Sequence, residues 1–188
     1  MNQPTYVTKS AGLPLLQTIS SSCRTPVLTV KYCNLIKPFY YPNCKVPRYS
    51  ITCIVDGRMD QQFIQFIQTI ESNENIENAM KVDYRKDSSG TPVTSGNYII
   101  KFQSREKIPV KILENSGCVQ DMKLEDDFVP GEKVSVLYDV LRYTKRGNTV
   151  EHGLSFKPTG IFYHPSESSK NLSSVRSENG SNVSFEGE

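Results

Sequence analysis

The chain has 188 residues, with 22 Lys and Arg against 20 Asp and Glu, 37% hydrophobic residues and no Trp. That suits one domain with a short unpacked segment, and the near-neutral total excludes a uniformly polybasic protein. No apolar run approaches the ~20 residues of a membrane helix. Met1–Ser10 lacks the charged-then-apolar order of a secretory leader, so a cytoplasmic protein without membrane association is expected.

Met1–Ser22 is polar apart from Leu13, Leu15 and Leu16, and is set apart as an N-terminal extension. From Thr25 the β signal is strong. Val27, Leu28, Val30, Tyr32 and Leu35 stand among Thr29, Lys31 and Asn34, which predicts a first strand. Lys37–Pro47 is a Pro- and Tyr-rich connection. Tyr49–Val55, rich in β-branched residues, predicts a second strand that Asp56-Gly57 stops. The period then changes: Phe63, Ile64, Phe66, Ile67 and Ile70 form one apolar face of a helix that Asp60 is placed to cap. Asn73–Asn75 breaks it, with a further turn or two expected through Ile76 to Met80. Asp87–Gly96 reads as a loop. Tyr98, Ile100 and Phe102 alternate with Ile99, Lys101 and Gln103, a third strand, and Val110–Leu113 is a short fourth. Asn115–Asp127 reads as an acidic, irregular connection. Pro130-Gly131 turns into a long strand, Lys133–Tyr143, then a basic hairpin turn at Thr144–Asn148 and a last strand, Leu154–Tyr163.

Five or six strands around one helix, most joined by turns, predict a mainly β fold: a five-stranded OB-fold-like barrel with one inserted helix. The domain is drawn at residues 23–165. Ser166–Glu188 is a Ser-, Asn-, Gly- and Glu-rich segment with two basic and four acidic residues, and its composition predicts a disordered acidic tail.

Nothing in the chain argues for an enzyme. There is no nucleophile elbow, phosphate-binding Gly loop, dinucleotide fingerprint or zinc-protease motif. The five cysteines (Cys23, Cys33, Cys44, Cys53, Cys118) show no zinc-site spacing, so neither cofactor nor metal is expected and reduced thiols are the simpler reading. Asp126 and Asp127, with Glu125, are the one acidic constellation that could serve a metal-dependent nuclease.

Charge is segregated instead. Arg24, Lys31, Lys37, Lys45, Arg48 and Arg58 face a single acid, Asp56, over one stretch. The same stretch carries Tyr32, Phe39, Tyr40, Tyr41 and Tyr49. Cations that track phosphates, interleaved with rings that stack any base, are the chemistry of single-stranded nucleic acid binding. In an OB-fold the loop between the first two strands and the adjoining sheet face form that surface. Stacking candidates are therefore Tyr32, Phe39, Tyr40, Tyr41, Tyr49 and Tyr143. Phosphate contacts are assigned to Lys31, Lys37, Lys45, Arg48, Lys101, Arg105, Arg142, Lys145 and Arg146. Neighbours on a strand point to opposite faces, so Lys31 and Tyr32 line one groove only if the strand bends. The tail, through Phe185, Glu186 and Glu188, is a candidate for competing in the groove or docking on a partner.

The order of these features resembles the phage-type single-stranded DNA-binding proteins with an OB-fold. The residues that carry the likeness are Tyr32-Cys33-Asn34-Leu35 with Pro38 and Tyr49-Ser50, then Gly131 to Val136, Tyr143, Gly153 to Phe156 and Gly160-Ile161. The resemblance implies non-catalytic, sequence-independent binding of single-stranded DNA in phage replication and recombination, within the host cytoplasm. It further implies tail contacts to replication or recombination enzymes and a homodimer. The alternative is a viral structural or assembly protein built on a β-barrel.

Overall fold

A computed structural model describes residues 15–42, 45–113, 117–146 and 150–165. Side chains of residues 15, 145, 146, 150 and 151 lie outside that description, as do the tail and the tip of the last hairpin. The elements in order are β1 (Leu15–Arg24), β2 (Leu28–Phe39), β3 (Arg48–Val55), α1 (Gln61–Glu74), β4 (Lys81–Lys86), β5 (Pro92–Ser104), β6 (Val110–Leu113), β7 (Val119–Met122), β8 (Lys133–Arg146) and β9 (Val150–His164).

Period-2 alternation decides which side of each strand is buried. Ile51, Cys53 and Val55 on β3, Ile100 and Phe102 on β5, and Val134, Val136, Tyr138 and Val140 on β8 point inward and are almost wholly excluded from water. Each such side chain stabilises the fold by roughly 1.5–3 kcal/mol. Phe102, Tyr138 and Phe156 meet at the centre, with ring centroids 5.2 to 6.0 Å apart.

The ladders close a ring. β2 pairs β3, β3 pairs β5, β9 lies parallel to β5 and antiparallel to β8, and β8 returns to β2. That circuit, with one parallel pair, is the expected OB-like architecture. The helix sits between β3 and β5 and turns Phe63, Ile64, Ile67 and Ile70 onto the same core. Its position after the second strand of the ring is as the sequence predicts.

Several local expectations are corrected. Residues 15–24, lacking regular alternation, form β1 along β8, so this strand crosses the composition boundary at residue 22. The second half of the segment read as a loop, Asp87–Gly96, is strand: β4 and β5 form a hairpin around residues 87–91. β7 lies inside the acidic connection and pairs β6. Phe66 of the apolar helix face is 40% exposed. The helix stops at Glu74 without a further turn, because Asn75 turns left-handed (φ 52°) and Ile76 N–H closes on Glu71 C=O at 2.9 Å. Asp60 holds the capping position, yet its carboxylate accepts the Asp56 N–H at 2.9 Å rather than a helix amide. Gly57 is required in this turn: a Cβ there would stand 1.9 Å from the Gly96 carbonyl oxygen.

Candidate nucleic-acid interface

The outward face of β2, β3 and β5 begins with a bulge. Val30 faces Cys53 and Tyr32 faces Thr52, so Lys31 is an extra residue on β2. The bulge cancels the alternation that would have separated Lys31 from Tyr32. Tyr32 is 61% exposed and the Lys31 ammonium lies 5.7 Å from its ring centroid. Lys31 is also ion-paired to Asp83 on β4, and Ser95 Oγ donates to the second Asp83 oxygen at 3.0 Å. Burial raises the Asp83 carboxyl, but the Lys31 and Ser95 hydrogen bonds outweigh it and leave the group below its ordinary value.

Register carries the surface across three strands. Tyr32, Thr52 and Lys101 stand in one row, and Asn34, Ser50 and Gln103 in the next. Beyond Asn34, β2 bows away and returns to pair Phe39 with Arg48. The bow is pinned by Asp127, whose Oδ1 accepts the backbone N–H groups of Leu35 and of Ile36, the latter at 2.8 Å. The acidic run weighed as a nuclease site thus has its best-buried member committed to backbone. Burial, with the Asp127 carboxylate beside it, pushes the Cys33 thiol up to about 12, so this inward cysteine remains a neutral thiol.

The returning strand delivers the rings. Phe39 and Tyr41 meet edge to face at 5.2 Å. The Lys101 ammonium stands 4.5 Å from the Phe39 centroid and the Arg48 guanidinium 6.0 Å from that of Tyr41. Cations are attracted to ring faces at these distances; Tyr41 and Lys101 are exposed here, while Phe39 and Arg48 are half-buried. Partial desolvation, then the charges of Lys81 and Arg48, hold the Lys101 ammonium below the ordinary lysine value. Tyr40 and Lys45 are exposed on the connection, Lys37 is exposed on the bow, and Arg105 is exposed just past β5 with the parity of Lys101.

Other assigned residues are elsewhere. Tyr49 is not a stacking ring: it is 9% exposed and belongs to the core, because it shares inward parity with Ile51 and Cys53. Arg142 follows the inward side of β8 past the end of the core and pairs with Glu74 of α1 at 2.9 Å. Tyr143 lies over Gly153 on β9, where a Cβ would come within 2.3 Å of its ring. The backbone of Lys145 and Arg146 extends β8, while their side chains, and Phe185, Glu186 and Glu188, fall outside the described residues. Sequence reasoning missed Lys81, Tyr84 (62% exposed) and Gln103. Alternation of Val82 and Tyr84 with Lys81, Asp83 and Arg85 was the available signal for β4. Among the described residues no helix is long and apolar enough to cross a membrane.

No family model matches the chain, and no curated protein matches it. Solved structures do. A C-terminally truncated single-stranded DNA-binding protein from bacteriophage Enc34 aligns over 77% of this chain and 85% of its own, at 12% identity and TM-score 0.53. Gp2.5, a single-stranded DNA-binding protein encoded by bacteriophage T7, aligns over 76% of this chain and 90% of its own, at 14% identity and TM-score 0.53. The Enc34 protein in complex with single-stranded DNA gives 16% identity, 77% and 86% coverage, and the same score. The chain has the OB-like fold of these phage single-stranded DNA-binding proteins.

Proposed function

We propose that this protein binds single-stranded DNA without sequence preference, on the outward face of β2, β3 and β5. The observation that carries the reading is the joining of Tyr32, Phe39 and Tyr41 with Lys31, Arg48 and Lys101 on one face. Rings supply stacking at roughly 1–3 kcal/mol per base, and cations follow the phosphates. Tyr40, Lys37, Lys45 and Arg105 extend the same path, and Lys145 and Arg146 are assigned further phosphate contacts on their charge. The neighbours of similar fold are single-stranded DNA-binding proteins, which supports the same ligand here. The role is non-catalytic coating and protection of exposed strands during phage replication and recombination. The tail, through Phe185, Glu186 and Glu188, recruits replication or recombination enzymes, and the protein pairs as a homodimer.

Fluorescence titration with oligothymidylate at several salt concentrations tests the ligand. Affinity is expected to fall linearly on a log–log scale, by about 0.7 for each phosphate neutralised. Duplex bound as tightly as single strands would overturn the stacking reading, and no binding to either would favour a purely structural barrel.

A further inference from the structure

Two side chains on this face have polar atoms without a hydrogen-bond partner among the described residues. Arg48 Nε and Gln103 Oε1 are buried and make no hydrogen bond among the described residues. Buried polar atoms in folded proteins nearly always have a partner, so two on one surface need a reason. Their positions supply it. Gln103 faces Ser50 across the β3–β5 ladder, and Arg48 lies two residues from Ser50 on β3. The two are diagonal neighbours on the same face, within mutual reach of long side chains.

The surface between them is roofed. Ser50 shares the outward parity of Thr52 and Ile54, yet it is buried at 3% exposure while they are half-buried. Phe39 stands opposite Arg48, with its ring under the Lys101 ammonium, and Tyr41 lies beside the Arg48 guanidinium. Two of the rings proposed to stack bases thus stand beside Arg48, and one buried donor and one buried acceptor lie in the adjoining rows.

We infer that Arg48 and Gln103 form a subsite for the Watson–Crick edge of an unpaired base; this rests on the single-stranded DNA reading above. Every base shows a donor next to an acceptor on that edge: an amino group beside a ring nitrogen in adenine and cytosine, an imino N–H beside a carbonyl in thymine and guanine. A single donor with a single acceptor satisfies any of the four and so introduces no base preference. In a duplex the edge is already used by the complementary strand. Stacking on Phe39 and Tyr41 supplies affinity, and the edge contact rejects paired strands.

The test compares two oligothymidylates of equal length, one unmodified and one methylated on the imino nitrogen of every ring. Methylation blocks the edge and leaves the stacking faces. The full-length protein is expected to bind the methylated strand about three- to tenfold more weakly, the worth of one hydrogen bond. Gln103→Leu is expected to weaken binding to the unmodified strand by the same factor and to abolish the difference. Arg48→Lys, which keeps the charge, is expected to narrow the difference without changing the salt slope. Equal, tight binding of both strands by the unaltered protein would overturn the subsite alone. No binding of either strand would overturn the DNA-binding reading beneath it.

Discussion

The run from Lys37 to Arg48 and the long β8–β9 hairpin carry the same kinds of residue, tyrosine with lysine and arginine, and the fold uses them differently. On the β2–β3–β5 face the cations of Lys101 and Arg48 lie against Phe39 and Tyr41, and Lys101 and Tyr41 stay exposed. On the hairpin, Arg142 is taken by Glu74 and Tyr143 covers Gly153. Composition marks both regions as candidates for nucleic acid. What separates them is that Arg48 and Lys101 stand beside rings on one face, while on the hairpin Arg142 is held by an acid and Tyr143 lies over Gly153.

The sharpest way to break this contrast is to remove rings from each side. Tyr32→Ala with Phe39→Ala is expected to weaken oligothymidylate binding by about 2–6 kcal/mol, from two lost stacking platforms. Tyr143→Ala should leave affinity within about twofold, well below the worth of one stacked base. Anisotropy titration decides it, and equal losses would erase the distinction. Next in size is Gly153→Ala, whose methyl group would overlap the Tyr143 ring. We expect a loss of about 1–3 kcal/mol of stability by urea unfolding, recovered when Tyr143→Ala is added to the same chain. Arg142→Ala leaves the half-buried Glu74 carboxylate unpaired and should destabilise by about 1 kcal/mol, with oligonucleotide affinity unchanged. The smallest effect belongs to Lys101→Ala, expected to reduce the salt slope of binding by about one. Because the Lys101 ammonium is held below the ordinary lysine value, and only its charged form attracts phosphate, unaltered protein should begin to lose affinity as pH rises while still below the ordinary lysine range. That early loss should vanish in Lys101→Ala.

The ring was legible because its strands alternate: Ile100 and Phe102, or Val134, Val136 and Val140, name their face without help from the rest of the chain. β1 was not, since the run from Leu15 to Arg24 is Ser-rich and becomes a strand only because the edge of β8 offers it pairing. β4 was missed for a related reason: of its residues only Asp83 is buried. Within the site, Tyr49 was misassigned although its parity with Ile51 and Cys53 was readable, because ring content was weighed above register. The Lys31 bulge and the Arg142–Glu74 pair could not be read at all. Both depend on where distant strands fall, and no local pattern encodes that.

Ser22 donates its backbone N–H to Asp139, a residue 117 positions away, and Thr25 exchanges bonds with Val136 across a similar gap. β1 therefore lacks its β8 partner until residue 144 has been synthesised. Contacts this remote in sequence slow folding, because the intervening chain must be ordered before they form. Translation order and assembly order run against each other for β1: it is made before β8 and held only after it.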